Sequence, residues 1–523
     1  MVPGGGSARL PTALAAVGGA VGAGVITALV FLMRAGASGD SNWPVHWELR
    51  SSDNGVLFQV MQDITAGRTL DWSFSPQVYV FPELPVSAVA YLLGGGDVYW
   101  YYLLVAVVNA LLLFLALFLL VSVLFRAETA LARLARAAAA FAPLAILPLV
   151  GGAWLPSYHL APTYYFGLYL MLFAAPAFFL VRGRVGKVLI GVGLALTAAS
   201  NPLVLVFCGA PFAVALVVRW VRRGFGAILG PAVAAIAVLV VALLVRVIFF
   251  SALQGVSPLA YIDVEVFAGR IASLAPYFTA VTADPATRVV LLVGAILAVL
   301  LLAAAVGLVV QLLRGRVEPD ARTLVAVYFG LMPLVGLACT AALLITHYLY
   351  FWPVVIAPFV IALLALPPRW APRACAALVV AAVAVAIGTG GAANLARPTE
   401  YFGYRSLETA CLDDLMPAGS TGYATFSDAR RVSLTSADGI RLVPLKSDMT
   451  TATWLTNLDY FERFPGSFFY LNSAGDEREI SRDAVTGVFG QPDRIAQCDA
   501  QHVLYIYEDA EALRQIAEQF DSR

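Results

Sequence analysis

The acidic residues best placed for chemistry fall together, in a polar stretch between the first two apolar runs. Asp53 sits in Arg50-Ser-Ser-Asp53-Asn-Gly, directly ahead of a segment in which Val56, Leu57, Val60, Met61 and Ile64 recur at helical spacing. That pattern predicts an amphipathic helix over 54–66, lying at a membrane interface. A carboxylate at its head can act as general base toward an acceptor hydroxyl. It can also cap the helix, because aspartate is a favoured N-cap residue, and the two roles are compatible. Asp63, Asp71 and Glu83 are the next candidates in the same stretch. Each also reads as an ordinary solvated charge, and no pair has the adjacent-carboxylate spacing of a metal site.

A departing phosphate needs compensating donors. The candidates are Arg246 near the end of an apolar run, His159 in Ser-Tyr-His-Leu-Ala-Pro, and the pair His347-Tyr348. An arginine inside a span is a functional candidate by default, yet one near the end can snorkel to the headgroups. A lone interfacial histidine or tyrosine is more often an anchor than a ligand. Arg270 can bind phosphate or pair with Asp263 or Glu265, and the ion pair is the favoured reading.

The elements that must position these residues are membrane spans. Sixty per cent of the 523 residues are hydrophobic and only 13% charged, a composition that points to lipid as solvent. The formal net charge is +0, which argues against nucleic acid as a partner. Apolar stretches predict spans near 12–33, 100–125, 137–153, 163–181, 227–250, 288–313, 323–346, 352–366 and 374–395. The stretch 188–218 is too long for one span and breaks at Ser200-Asn201-Pro202, giving two short helices and eleven spans in all. The backbone freed at that break must find partners in protein or water. The first apolar run is longer than a signal-peptide core and reads as a retained helix.

The Lys/Arg bias of the short loops sets orientation. Fifteen cations fall on one side, among them Arg126, Arg182, Arg219, Arg314 and Arg369, against four (Arg34, Arg50, Arg68 and Arg270) on the other. The N-terminus is thereby expected in the cytoplasm and the C-terminus outside. Two outer loops are long, 34–99 and 251–287. In the first, the apolar piece 86–93 is too short to span and is expected to dip in against the bundle.

After Pro398 the composition turns polar and alternates short β-rich runs (422–426, 440–445, 467–471 and 502–507) with helical ones (around 454–464, 482–489 and 510–520), an α/β domain over 398–523 beside a membrane domain over 1–397. The tail shows no phosphate-binding glycine loop, metal-spaced Cys/His set or nucleophile elbow, so the chemistry is not expected there. Cys411 and Cys498 lie in this tail and are candidates for a disulfide in an oxidising compartment, whereas Cys208, Cys339 and Cys375 read as buried apolar residues.

The order of parts resembles the GT-C superfamily of integral membrane glycosyltransferases. The stretch from Asp53 to Gly67, followed by Phe81-Pro-Glu-Leu-Pro85, is similar to that family's first outer loop. The resemblance covers the first 395 residues as architecture and about 35 as motif. It implies inverting transfer from a polyprenyl-phosphate sugar to a glycan, lipid or protein acceptor outside the membrane, with Asp53 as base. On that reading His159, Arg246, His347 and Tyr348 would meet the donor phosphate. Members with paired acids at the catalytic position differ from this chain, where Asn54 follows Asp53. That points to a metal-free mechanism without a cofactor, with a divalent metal left open.

Three other readings compete. A transporter or lipid flippase would use the broken helix at 200–202, although no internal repeat is evident. A non-catalytic scaffold would leave the acidic first loop unexplained. Acyl transfer would ask for a nucleophile or His/Asp pair at helix ends, and none stands out. The Ala/Val/Gly/Arg-rich composition suggests a bacterial chain of high-GC origin and a plasma-membrane location.

Overall fold

A computed structural model describes residues 9–33, 52–150, 159–163, 165–253, 279, 282–283, 285–342, 352–388, 401–402, 405, 407–463, 466–472 and 480–521. Helix α1 (Arg9–Met33) leads to a 3-10 turn (Ser52–Gly55), α2 (Val56–Thr65), strand β1 (Trp72–Ser73) and α3 (Glu83–Leu93). The bundle continues with α4 (Val98–Leu124), α5 (Ala130–Val150), α6 (Tyr165–Leu180), α7 (Arg184–Ser200), α8 (Leu203–Arg223) and α9 (Gly226–Val245). Helices α10 (Pro285–Leu313), α11 (Ala321–Ala342), α12 (Trp352–Ala365) and α13 (Ala371–Gly388) complete it.

A helix therefore occupies each expected apolar stretch. Among the described residues, seven segments are long and apolar enough to cross a membrane: Pro11–Leu32, Val98–Leu124, Ala130–Leu147, Leu203–Arg223, Gly226–Phe250, Pro285–Leu313 and Arg322–Cys339. Apolar side chains such as Val233, Ile236, Val240 and Leu244 point outward from α9, which suits a hydrocarbon solvent and would be costly in water. Asp97 caps α4, accepting from the Tyr99 and Trp100 amides at 2.9 Å each. Prolines inside α6, α8, α9, α11 and α12 fit a setting where neighbouring helices satisfy the freed carbonyls.

The break at Ser200-Asn201-Pro202 separates α7 from α8, and the first loop fills it. Ser200 O accepts from the Val78 amide at 3.0 Å, while Ser200 Oγ accepts from the Val80 and Phe81 amides at 3.0 and 3.2 Å. Asn201 Oδ1 receives the Leu203 amide at 3.1 Å. The expected piece at 86–93 is α3, which packs on α4 with Val86, Ser87 and Ala90 buried.

The C-terminal region holds α14 (Leu407–Leu415), β2 (Thr421–Thr425), α15 (Phe426–Thr435), β3 (Arg441–Leu445), β4 (Thr456–Asn457), α16 (Asp459–Arg463) and β5 (Phe468–Asn472). It ends with α17 (Arg482–Phe489), β6 (Arg494–Gln497), β7 (His502–Ile506) and α18 (Ala510–Asp521). The sheet order is β3-β2-β5-β7-β6; β2 runs parallel to β3 and β5, and β7 antiparallel to β5 and β6. One face packs Phe468, Tyr470, Leu504 and Ile506 with Leu412 of α14 and Val432 of α15. The other face, with Phe469 and Tyr505, joins a hydrophobic core that is continuous with the first loop and the bundle.

Three local expectations need revision. Helix α2 is not a half-solvated interfacial helix: Val56 through Met61 and Asp63 are all buried, because the C-terminal region covers its outer side. Residues 454–458 form a turn and β4 rather than helix, since β4 pairs antiparallel with β1, Trp72 opposite Asn457. Helices α14 and α15 and strand β6 appear where no periodicity was evident; β6, mostly exposed, lacks an apolar alternation to reveal it.

Candidate functional site

Asp53 lies in the 3-10 turn and is half-buried. The N-cap of α2 is Gly55, which makes no side-chain cap bond, so the carboxylate of Asp53 is not held as the cap of that helix. The turn presses against α15: a Cβ on Gly55 would meet Leu434 Cδ1 at 2.2 Å and Arg430 Cγ at 3.0 Å. A side chain at this position would have to displace the end of Leu434.

Through this contact α15 delivers Arg430, buried to 4% exposure, into the first loop. Its Nη1 donates to Gln59 Oε1 at 2.5 Å and its Nη2 to the Leu455 carbonyl. The guanidinium also lies 5.7 Å from the Trp72 ring centroid and 5.4 Å from that of Phe426. Burial pulls the arginine below its usual range, opposed by Tyr460, Asp53, Tyr79 and Tyr102. Burial likewise pushes the Asp53 carboxyl above its ordinary value, and the Arg430 charge opposes it. The result is a carboxyl group, in a half-buried residue, that lies within the field of a fixed buried cation.

Tyr79 is part of this surround, fully buried with φ of 57°. A left-handed L-residue costs about 1–2 kcal/mol. The Ser200 bonds to Val78 and Val80 hold it there from both sides.

Asp63 is fully buried and saturated with donors. Arg68 Nη1 lies at 3.0 Å from Oδ1; Trp72 Nε1 at 3.1 Å, Asn457 Nδ2 at 2.9 Å and Tyr460 Oη at 2.7 Å donate to Oδ2. Those contacts tie the first loop to the C-terminal region and leave the carboxylate little capacity to take a proton from a substrate. Asp71 is exposed, and its carbonyl accepts from the Leu458 amide at 2.8 Å.

Glu83 opens α3 and is 2% exposed. Its Oε1 accepts from the Gly167 amide at 2.8 Å, and Oε2 is buried without a hydrogen-bond partner among the described residues. A Cβ on Gly167 would meet Glu83 Oε1 at 2.8 Å and Thr197 Cγ2 at 2.9 Å, so the junction of α3, α6 and α7 is closed. Burial raises the Glu83 carboxyl to about 7.

Of the phosphate candidates, Arg246 and His159 lie among the described residues, and both donate to backbone carbonyls. Arg246 follows α9 and donates from Nη1 to Ala199 O at 2.7 Å and from Nη2 to Pro76 O at 2.9 Å, clamping the helix break to the first loop. His159 is fully buried; its Nε2 donates to Leu144 O at 2.7 Å and its ring lies edge-on to Tyr169. His347, Tyr348, Arg270, Asp263 and Glu265 lie outside the described residues, as does most of 251–287.

Arg430 is the residue that sequence reasoning missed. The dipeptide Arg430-Arg431 reads as tail charge, and Arg431 does pair with Asp428 at 2.6 Å. Its one available signal is position: Ala429, Arg430 and Val432 are buried on a short helix with Leu434, where a cation is out of place. Among the described residues no group of three or more His, Cys, Asp or Glu is assembled to hold a metal. No protein-family model and no curated protein matches the chain.

Proposed function

We propose that this chain is a membrane-embedded glycosyltransferase of the GT-C kind, moving a sugar from a polyprenyl-phosphate carrier to an extracytoplasmic glycan, lipid or protein. The observation that carries this reading is half-buried Asp53, its carboxyl in the field of the buried Arg430, in the loop that follows the first span. On this reading eleven helices span a plasma membrane, with the N-terminus cytoplasmic and the C-terminal region outside.

Asp53 takes the proton of the acceptor hydroxyl. The acceptor oxygen forms a bond to the anomeric carbon as the bond from that carbon to phosphate oxygen breaks, and the electron pair leaves on the phosphate. Attack from the face opposite the phosphate inverts the anomeric centre. General-base help of this kind contributes about 10²–10⁴-fold. Arg430 opposes the rise that burial imposes on Asp53 and so favours its ionised form, and a fixed cation nearby also favours the anionic leaving group.

The broken helix, the feature a transporter would use, has its freed groups filled by Val78, Val80 and Phe81. That pins the break to the loop instead of leaving it to line a path, and so favours transfer over transport.

The test is transfer of radiolabelled sugar from polyprenyl-phosphate donors in membranes holding the wild type or Asp53→Asn at matched expression. Activity that falls at least 100-fold in the variant supports the reading. Activity kept in Asp53→Asn would remove Asp53 as the base, and no transfer across a panel of donors and acceptors would sink the enzyme reading.

A further inference from the structure

Away from the first-loop site, a cavity of ≈ 770 Å³ lies where the ends of α6 and α8 meet the start of α11, at the far end of α8 from the helix break. Pockets of about 300–1,000 Å³ suit small molecules, and most are apolar with a few placed polar groups. This one has that make-up. Phe179 and Phe212 stack with ring centroids 3.6 Å apart and close its inner end, and Tyr328 lines it beside them. Its charged groups are Arg219 and Arg223 on α8 and Asp320 ahead of α11.

These three differ in what already holds them. Arg223 and Asp320 are exposed and mark the mouth. Arg223 pairs with Glu318 at 2.9 Å, and both side chains are exposed, so the pair is weak and easily parted. Asp320 Oδ1 accepts from the Thr323 amide and hydroxyl at 2.8 and 2.6 Å, which caps α11. Arg219 lies one helical turn inward from Arg223 and is half-buried. It forms no ion pair among the described residues, and its Nε is buried without a hydrogen-bond partner. An arginine at a helix end normally snorkels its head into water. A dry guanidinium N–H beside a cavity carries a desolvation cost that an anionic acceptor removes.

Two guanidinium groups one turn apart match a phosphate ester carrying about −1.5 to −2 charge at pH 7, and their planar forks suit its oxygens. Asp320, on the α11 side of the cavity, repels a second anion and favours hydroxyl donors there. We infer that this cavity is a binding site for a small soluble phosphomonoester of a polyol, its phosphate at Arg219 and Arg223 and its hydroxyls toward Asp320. The site opens on the face that the Lys/Arg bias assigns to the cytoplasm, away from the first-loop site, and does not depend on the glycosyltransferase reading. Occupancy ties α8 to the segment ahead of α11, taking over from the exposed Arg223–Glu318 pair.

The experiment titrates the full chain, in a neutral detergent at constant ionic strength, with glycerol phosphate and reads the heat of binding; glycerol is the matched control. Saturable heat from the phosphate ester and none from glycerol is expected. Arg219→Gln weakens binding about tenfold or more, the weight of one charge-assisted hydrogen bond. Arg316→Gln removes an exposed arginine of the same face that does not line the cavity, and leaves binding unchanged. Leu216→Trp narrows the cavity and weakens binding with Arg219 in place. Thermal midpoints show whether each variant is folded, and if Arg219→Gln is not, Leu216→Trp decides. Absence of saturable heat overturns the proposal. So do equal losses from Arg219→Gln and Arg316→Gln, which would show only diffuse surface charge. Phosphatidic acid retained through Arg219 in native mass spectra, with glycerol phosphate silent, overturns the soluble source in favour of a lipid headgroup.

Discussion

The Tyr460 hydroxyl donates to Oδ2 of Asp63 over 2.7 Å, across 397 positions of chain. The same oxygen takes Asn457 Nδ2 and Trp72 Nε1, so one buried carboxylate gathers donors from the first loop and the C-terminal region. Removing that carboxylate takes the acceptor from four donors, Arg68, Trp72, Asn457 and Tyr460. Breaking a buried charge from its partners costs about 3–5 kcal/mol. Asp63→Ala is therefore expected to lower the thermal midpoint of the detergent-solubilised protein sharply and open the C-terminal region to trypsin. Tyr460→Phe loses one bond and costs about 1 kcal/mol. Equal, small effects from both variants would show that Asp63 is not the tie.

Asp53 and Arg430 predict a pH dependence. Burial raises Asp53 above its ordinary value of 3.8, and Arg430 opposes that rise. A base works when ionised, so transfer activity falls as pH drops through the raised value, and the acid limb lies above 3.8. Arg430→Met deletes the charge that holds Asp53 down, moving the limb to higher pH; Arg430→Lys, which keeps a cation, moves it less. An acid limb that stays in place in Arg430→Met would disconnect the two residues.

Much of the architecture was legible because its physics is one-dimensional. Apolar runs such as 100–125 and 227–250 must be helical in hydrocarbon, and Pro202 after Ser200-Asn201 marks a break whatever surrounds it. Glu83 and Asp63 were equal candidates in sequence, and three-dimensional partners separate them: Asp63 is filled with donors from residues 457 and 460. Arg430 could not be found for the same reason. Its role depends on Gly55 admitting α15 against the first loop, a contact across more than 370 residues that periodicity does not encode. His159 looked interfacial because it follows an apolar run, but it is folded back onto Leu144.

Glu83 gives a second pH effect, on stability. It lies outside the seven long apolar segments, and its carboxyl is raised from 4.5 to about 7 by burial. The folded state thus holds the proton more tightly than the unfolded chain. The resulting stability is fully present below pH 4.5 and is lost as pH rises through about 7. A shift of that size corresponds to about 3 kcal/mol at 1.36 kcal/mol per unit. Glu83→Gln, neutral at every pH, is expected to flatten this part of the thermal-midpoint profile between pH 4.5 and 7.5. A profile identical to that of the wild type would mean that Glu83 is ionised without penalty.

Cys411 at α14 and Cys498 after β6 are joined by a disulfide with a Cα–Cα distance of 5.6 Å, closing a loop of 87 residues around the sheet. A cross-link of that span stabilises by about 2–4 kcal/mol, mainly by restricting the unfolded chain. Cys208 and Cys339 are buried and unbonded, so a mild reductant acts on the one bridge. Reduction is expected to lower the midpoint of unfolding of the C-terminal region, and Cys411→Ser should do so equally and then be indifferent to reductant. Counting alkylated thiols in protein taken from intact cells also reports the compartment. Protection of both cysteines places the C-terminal region on the oxidising side, the side expected from the Lys/Arg bias. Two freely alkylated thiols at these positions would put it in the reducing cytoplasm, and the proposed extracytoplasmic acceptor would fall with it.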